Sequence, residues 1–510
     1  MKQVIISTII LFFIILSSSC RKDFSVQQSK GNFRTSTDTL FLDSVFTNIA
    51  SRTYSFKIYN TSDKDINIPK IYLENGNNSF YRLNVDGTPG KSFENVLIHK
   101  NDSVFVFAEV TADITQLSDP VYEENVIIED NDKQKKVLLT SFVKDADFYY
   151  PTRFPDGSKD SLTTYTDPQT GETTKIAGFF LSGNTTFTSA KPVVIYGHLA
   201  IPENATLTIE QGTHIYFHYN SGIIAWENST LKVNGTLGNE VIFEDDRMEP
   251  DFENKPGMWD YIWLRQNSKN NEINYAIIKN ASVGVEVFPA SNYNPALLIK
   301  NTKIYNCRLV GLFGIASKIV GENLVMNNFG VNAFRGVLGG NYDFKHCTFA
   351  NYSGGVRNEK SGAVYASNFV DTKENGEDVR YINDLTQFNM SNSIVYGNSS
   401  IEYFLENVGG SIFNYQVKNT LIKFNDQNNH FASIPELDFT DISHYQGIIL
   451  NQDPDFENTD ENKMAFEDSS PCVNKGDIST AQQVPLDISG NDRTAQPDLG
   501  AYQHIVFSSN

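Results

Sequence analysis

The carboxylates of this chain crowd the stretch that leads into two of its tryptophans. Asp245, Asp246, Glu249, Asp251 and Glu253 fall between Glu244 and Met258, and Trp259 and Trp263 follow, two of only three Trp residues in the chain. Clustered carboxylates supply the oxygen ligands that Ca²⁺ takes. Paired carboxylates also perform acid/base work on glycosidic bonds, and indole faces stack on sugar rings. Asp245, Asp246, Glu249, Asp251, Trp259 and Trp263 are therefore the candidate ligand-binding residues, and Ca²⁺ is the one cofactor they suggest. A solvated acidic loop beside packed indoles would explain the same residues with no ligand at all. Arg247 and Arg265 are the nearby cations a lyase would need as base, but spacing does not put them on one face. The chain has no EF-hand spacing, GxSxG, HExxH or P-loop, so no catalytic residue is assigned.

His214 and His218 are four apart on strand-like sequence, with no third ligand evident, and no metal site is assigned to them. Cys307, Cys347 and Cys472 are odd in number and lack a short-spaced pair. They read as buried thiols rather than a metal or disulfide framework.

These residues need a scaffold. A chain of 510 residues exceeds what one core organises, and 40% hydrophobic with 12% aromatic residues is ample for packed cores. With 41 basic against 61 acidic residues the formal charge is −20. Such a field repels phosphate backbones, which argues against nucleic acid as a partner. At the N-terminus, Lys2 precedes an apolar run of 13 residues, Val4 to Leu16, too short for a comfortable membrane span. Ser17-Ser18-Ser19-Cys20 ends it. Small residues before a Cys at this place resemble a bacterial lipobox, which implies a signal peptide over 1–19, cleavage before Cys20 and acylation of Cys20. More than one acyl chain makes such attachment slow to release. Arg21-Lys22-Asp23 partly resembles a surface-export signal of the Bacteroidetes.

Residues 20–32 read as a lipidated tether. From 33 to 145 the pattern has period two: Thr39–Leu42, Tyr54–Tyr59, Val104–Val110 and Val137–Val143 are separated by turn residues. Short strands at this spacing over about 110 residues predict an immunoglobulin-like β-sandwich. Residues 146–188, rich in Pro, Asp, Thr and Gly, read as a linker that packs partly on its neighbours.

From 189 to 505 the texture is a repeat. Leu199–Ile201, Leu207–Ile209, Ile215–Phe217, Ile223–Ala225, Leu231–Val233 and Val241–Phe243 recur every eight or ten residues. Six longer segments then align: Asn274–Asn280, Lys300–Asn306, Gly321–Asn327, Lys345–Asn351, Ser391–Gly397 and Lys418–Phe424. Their fifth column is Ile278, Ile304, Val325, Phe349, Val395 and Ile422, with steps of 26, 21, 24, 46 and 27. A period near 24 with three short strands predicts a coiled parallel sheet, about 11 coils and roughly 50 Å long at 4.8 Å per coil. The last column is Asn in four of the six rows, which suits the left-handed bend a coil needs and a ladder of stacked amides.

The chain resembles Bacteroidetes lipoproteins that carry an immunoglobulin-like domain before a right-handed parallel β-helix of the pectate-lyase-like superfamily. The matching stretches are Ala205–Thr213 (ATLTIEQGT), Pro256–Trp263 (PGMWDYIW), Asn271–Asn280 (NEINYAIIKN), Gly340–Asn351 (GNYDFKHCTFAN), Ser470–Gly476 (SPCVNKG), Asp487–Arg493 (DISGNDR) and Pro497–Tyr502 (PDLGAY). The C-terminal pattern resembles the ends of many secreted β-helix proteins. It predicts that Arg493 pairs with Asp487 or Asp498 in a turn that caps the open end. The resemblance implies an all-β monomer held to the outer membrane by lipid, at its periplasmic face or on the cell surface. It fixes no activity. The leading expectation is a non-catalytic module that binds polysaccharide or surface proteins, and the alternative is a polysaccharide lyase or glycoside hydrolase.

Overall fold

The computed structural model describes residues 26–505 and 507, apart from 131–132, 168–169, 291–295, 355–357, 359 and 375. The expected signal peptide and Cys20 lie outside the described residues. The chain is all-β, and among the described residues Ile478–Gln483 is its α-helix. It divides into two compact units, Met1–Asp145 and Ala146–Asn510.

In the first unit, alternation places two sheets around one apolar core. A six-stranded sheet joins Gln27–Gln28, Ile66–Leu73, Val121–Asp130, Lys133–Lys144 and Thr39–Phe46, with Ser92–Ile98 also on Ile66–Leu73. A five-stranded sheet joins Phe33–Thr35, Tyr54–Asn60, Ser103–Val110, Tyr81–Val85 and Thr88–Gly90. Phe56, Ile58, Val104 and Val106 from one sheet meet Ile66, Ile68, Val126 and Leu139 from the other. Part of the segment expected to be a tether is folded. Gln27 and Gln28 already pair with Ile66 and Asn67, because the chain there finds an open strand edge to bond.

In the second unit, a 19-stranded sheet is parallel throughout and a 10-stranded sheet is parallel after its first hairpin. Each coil supplies two strands to the first sheet and one to the second, as in Thr206–Glu210, His214–Phe217 and Gly222–Ala225. The arrangement is consistent with a β-helix. One inward row is continuous: Phe179, Leu199, Ile223, Ile262, Val285, Leu312, Phe334, Val364 and Tyr403 stack in register along the 10-stranded sheet.

The segment read as a linker belongs to these coils. Asp147–Tyr149 pairs with Val193–Ile195, Thr185–Phe187 with Leu207–Ile209, and Gly178–Phe180 with His198–Ala200. Its Pro, Asp and Gly residues occupy turns and a hairpin, Ser161–Thr166 with Thr173–Phe180, rather than a free connector.

One row of the repeat shifts by a residue. Ile304 pairs with Met326, and Met326 with Phe349, so Met326 and not Val325 points inward. The asparagine column then runs Asn280, Asn306, Asn328 and Asn351. The first three have positive φ, and Asn328 donates to Asn306 Oδ1 at 2.8 Å. A second left-handed column runs Tyr275, Asn301, Asn323, His346, Asn392 and Asn419. Asn301 donates to Asn274 Oδ1 (2.9 Å) and Asn323 to Asn301 Oδ1 (2.8 Å). Each amide thus satisfies its neighbour at a bend where the backbone leaves the ladder.

The C-terminal segment is not an end cap. It packs along the side of the coils: Met464, Ile488 and Ala501 cover Val325 and Ala350, and Phe466, Cys472 and Leu499 cover Ile394 and Leu421. Asn327, Asn392 and Asn419 donate into it at Thr459, Asp477 and Lys475. Apolar residues on the outer face of a strand have to be covered, and this segment covers them. Arg493 is fully buried, yet makes no ion pair with Asp487 or Asp498. It donates to Asn323 Oδ1 and to the carbonyls of Gly500 and Ala501. The two carboxylates instead accept local amides, from Ser489, Asn491 and Gln503 at Asp487 and from Asn474 and His504 at Asp498. The last coils are closed by Phe431, Ile434, Leu437 and Phe439, which pack against the core that holds Tyr403, Tyr415 and Ile422.

Candidate functional site

The acidic stretch folds on itself. Asp245 ends the strand Val241–Asp245 and is buried, accepting from Asn280 Nδ2 at 2.9 Å and from the Arg247 amide. Burial pushes its carboxyl up to about 6, against these hydrogen bonds. Asp246 meets His218 Nδ1 at 2.8 Å, and Glu249 takes Arg247 at 2.9 and 3.0 Å. Asp251 sits in the short 3₁₀ turn Pro250–Phe252. Among the described residues no group of three or more His, Cys, Asp or Glu side chains is placed to hold a metal ion. His214 is taken separately, by Glu244, which also meets Lys279 Nζ at 2.6 Å. Burial opposes ionising Glu244, but His214 and Lys279 hold its carboxyl below the usual range.

The two tryptophans separate. Trp259 is 1% exposed, stacks on Phe217 at 4.2 Å and donates Nε1 to the Lys279 carbonyl, so it is a core residue. Trp263 lies on the strand Ile262–Leu264, whose flanking residues point inward, and alternation turns its indole outward.

From Trp263 an outward row follows the 10-stranded sheet in register: Trp263, Glu286, Phe313, Arg335, Tyr365. Same-row neighbours lie about 4.8 Å apart. Three rings and two charges therefore form a strip about four coil spacings long. Glu286 sits between Trp263 and Phe313. Burial between the rings pushes its carboxyl up to about 7. Arg335 lies over the Tyr365 ring at 4.4 Å and donates to Asn332 Oδ1 at 3.0 Å. Burial pulls its guanidinium below the usual value. Tyr365 donates to Glu406, which Lys360 also meets at 2.7 Å.

At the Trp263 end, Arg265 stacks over Trp226 at 3.8 Å and donates Nη2 to the Thr164 carbonyl of the hairpin Ser161–Phe180. Leu162 of that hairpin packs on Ala200 and Ile224. Trp263 Nε1 and Arg265 Nη1 are both buried without a hydrogen-bond partner. A second hairpin, Phe369–Glu374 with Glu377–Ile382, follows the strand that carries Tyr365.

The structure thus brings Trp263 onto an outward row, packs Trp259 in the core and gives Asp245, Asp246 and Glu249 separate partners. Glu286, Phe313, Arg335 and Tyr365 escaped sequence reasoning. The available signal was the third strand of each coil: Ile-Trp-Leu, Val-Glu-Val, Leu-Phe-Gly, Phe-Arg-Gly and Val-Tyr-Ala share an outward middle position.

No family model matches the chain, and no curated protein matches it. A solved structure of a family 123 glycoside hydrolase from Clostridium perfringens aligns with a TM-score of 0.16 and 9% identity, over 22% of this chain and 25% of that one. The chain therefore spans about a quarter of that protein.

Proposed function

We propose that this chain is an exported lipoprotein, acylated at Cys20, whose right-handed parallel β-helix binds glycan along its outward row. The observation that carries the reading is the register of Trp263, Glu286, Phe313, Arg335 and Tyr365 on one rigid face. Trp263 and Phe313, both half-buried, offer apolar faces to sugar rings, while Tyr365, 4% exposed, supports Arg335 from beneath. Glu286 and Arg335 between them offer a hydrogen-bonding acid and a fixed donor, the mixture a hydroxylated ligand needs. In this reading the first unit is an immunoglobulin-like spacer, which its two facing sheets support. The handedness of the coil follows the rule for parallel crossovers, and the lipid anchor follows the serine-rich stretch before Cys20.

A hydrolytic reading has one specific support, the carboxyl of Glu286 held near 7, suited to a general acid. A glycan array and a polysaccharide-cleavage screen on the full chain in detergent separate the two. Binding that is lost in Trp263→Ala, with no product formed, supports the module. Reducing or unsaturated ends that vanish in Glu286→Gln replace it with an enzyme. Binding that survives Trp263→Ala removes the row as the site.

A further inference from the structure

We propose that the five-stranded sheet of the first unit rests its outer face on the membrane surface. The inference builds on acylation at Cys20. Gln27 is already bonded into a sheet, so seven residues join the anchor to folded protein and span at most about 25 Å. A folded unit of this size, about 13 Å in radius of gyration, stays within reach of the lipid headgroups on so short a leash.

Of the two sheet faces, one is suited to that contact. The outward positions of the five-stranded sheet include Arg34, Lys57, Tyr59, Phe105, Phe107, Arg82 and Glu109, with Ser55, Asn84 and Ser103 between them. Phe105 and Phe107 are 41% and 37% exposed and stacked at 5.4 Å. Lys57 lies over Phe105 at 4.3 Å and Arg34 over Tyr59 at 4.1 Å. Neither cation has a carboxylate partner among the described residues, whereas Arg82 and Glu109 pair with each other at 3.2 Å. In a chain of charge −20 this face is cationic and aromatic. Aromatic rings and snorkelling cations are what the headgroup layer accepts, and anionic lipid attracts the unpaired charges. The opposite sheet mixes Glu94, Glu123 and Glu129 with Lys70, Lys136 and Lys144 on its outward side, so it lacks the net positive charge of the five-stranded face. Arg34 and Tyr59 also lie next to the chain entry, since Thr61 donates its amide to the Asn32 carbonyl.

The test reconstitutes the full chain into vesicles of phosphatidylethanolamine and phosphatidylglycerol. It reads hydroxyl-radical labelling of Phe105 and Phe107 against Phe41 and Phe142, which are exposed on the other sheet. The comparison is a chain carrying Arg34→Glu and Lys57→Glu, two changes outside the core. Phe105 and Phe107 are expected to label about threefold less in the native chain than in the variant, with Phe41 and Phe142 unchanged. Equal labelling in both chains, or protection of Phe41 and Phe142 instead, overturns the proposal. Mass analysis of the Cys20 peptide is read in parallel. Protection without an acyl mass keeps the docking face and removes the anchor, and an acyl mass without protection does the reverse.

Discussion

Arg493 Nη2 donates to Asn323 Oδ1 at 3.0 Å, across 170 residues of sequence. The same asparagine donates its Nδ2 to Asn301 Oδ1 (2.8 Å) and to the Leu486 carbonyl (3.0 Å). One amide therefore ties the turn ladder of the coil to the segment that covers its side. Burial pulls the Arg493 guanidinium down to about 10, with Asp487 and Asp498 opposing through space.

Removing that arginine takes the donor from Asn323 Oδ1 and from the Gly500 carbonyl, while the Ala501 carbonyl keeps the Ile488 amide. Arg493→Met is expected to destabilise the second unit by about 3 kcal/mol. The C-terminal segment should become the first site of limited proteolysis. A urea midpoint equal to that of the native chain would show that the segment holds by its apolar contacts alone.

Asn301 separates backbone from side chain. It adopts φ 48° and gives and receives an amide bond in the ladder. Asn301→Ala is expected to cost about 2 kcal/mol, and Asn301→Gly less, since Gly meets the left-handed bend without strain. Equal losses in urea unfolding would mean that the bend itself costs nothing.

Glu286 makes stability depend on pH. Its folded carboxyl is raised to about 7 by burial, so the folded state binds the proton more tightly than the unfolded chain. Its contribution is fully present below the ordinary Glu value and is lost as pH rises through 7. Glu286→Gln is expected to stabilise the chain at pH 8 by on the order of 1–3 kcal/mol and to be near neutral at pH 4. Thermal melts of both chains across pH check this, and parallel curves would place the carboxylate in water.

The two neighbouring tryptophans should part company. Trp259→Ala removes a ring packed on Phe217 and is expected to cost about 3–5 kcal/mol. Trp263→Ala, on the outward row, is expected to cost about 1 kcal/mol and to abolish glycan binding. Calorimetric unfolding and binding titrations on both variants rank them; the reverse ranking would move the site into the core.

Thiol chemistry counts the anchor. Cys307, Cys347 and Cys472 are free and buried, and burial pushes the thiols of Cys347 and Cys472 up to about 12. The native chain is expected to resist a thiol reagent and to release three reactive groups on unfolding. Four would show that Cys20 carries no acyl group.

The coil was legible in sequence because its physics is local. Period-two runs such as Leu207–Ile209 name inward residues directly, and an asparagine at most bends reports a conformation few residues tolerate. Reading the third row as Gly321–Asn327 failed by one residue because Val325 and Met326 are both buried, one against the covering segment and one in the core. Apolar character cannot tell two burial partners apart. Residues 146–188 looked like a connector because their strands are short and separated by turn residues, while their pairing partners lie tens of residues away.

The sequence by itself determined that the chain is all-β, where the repeat lies, which residues turn inward in every aligned row but the third, and that Cys307, Cys347 and Cys472 are buried apolar groups. Only the tertiary structure decided which outward residues share a face. Glu286 lies 23 residues from Trp263 and 27 from Phe313, and becomes their neighbour because parallel register stacks one coil on the next. It also decided that Asp245, Asp246 and Glu249 are parted among Asn280, His218 and Arg247. Proximity in sequence had grouped these carboxylates, but buried charge is stable only where each finds a partner, and the fold brings Asn280 and His218 from 35 and 28 residues away while Arg247 reaches Glu249 within the loop.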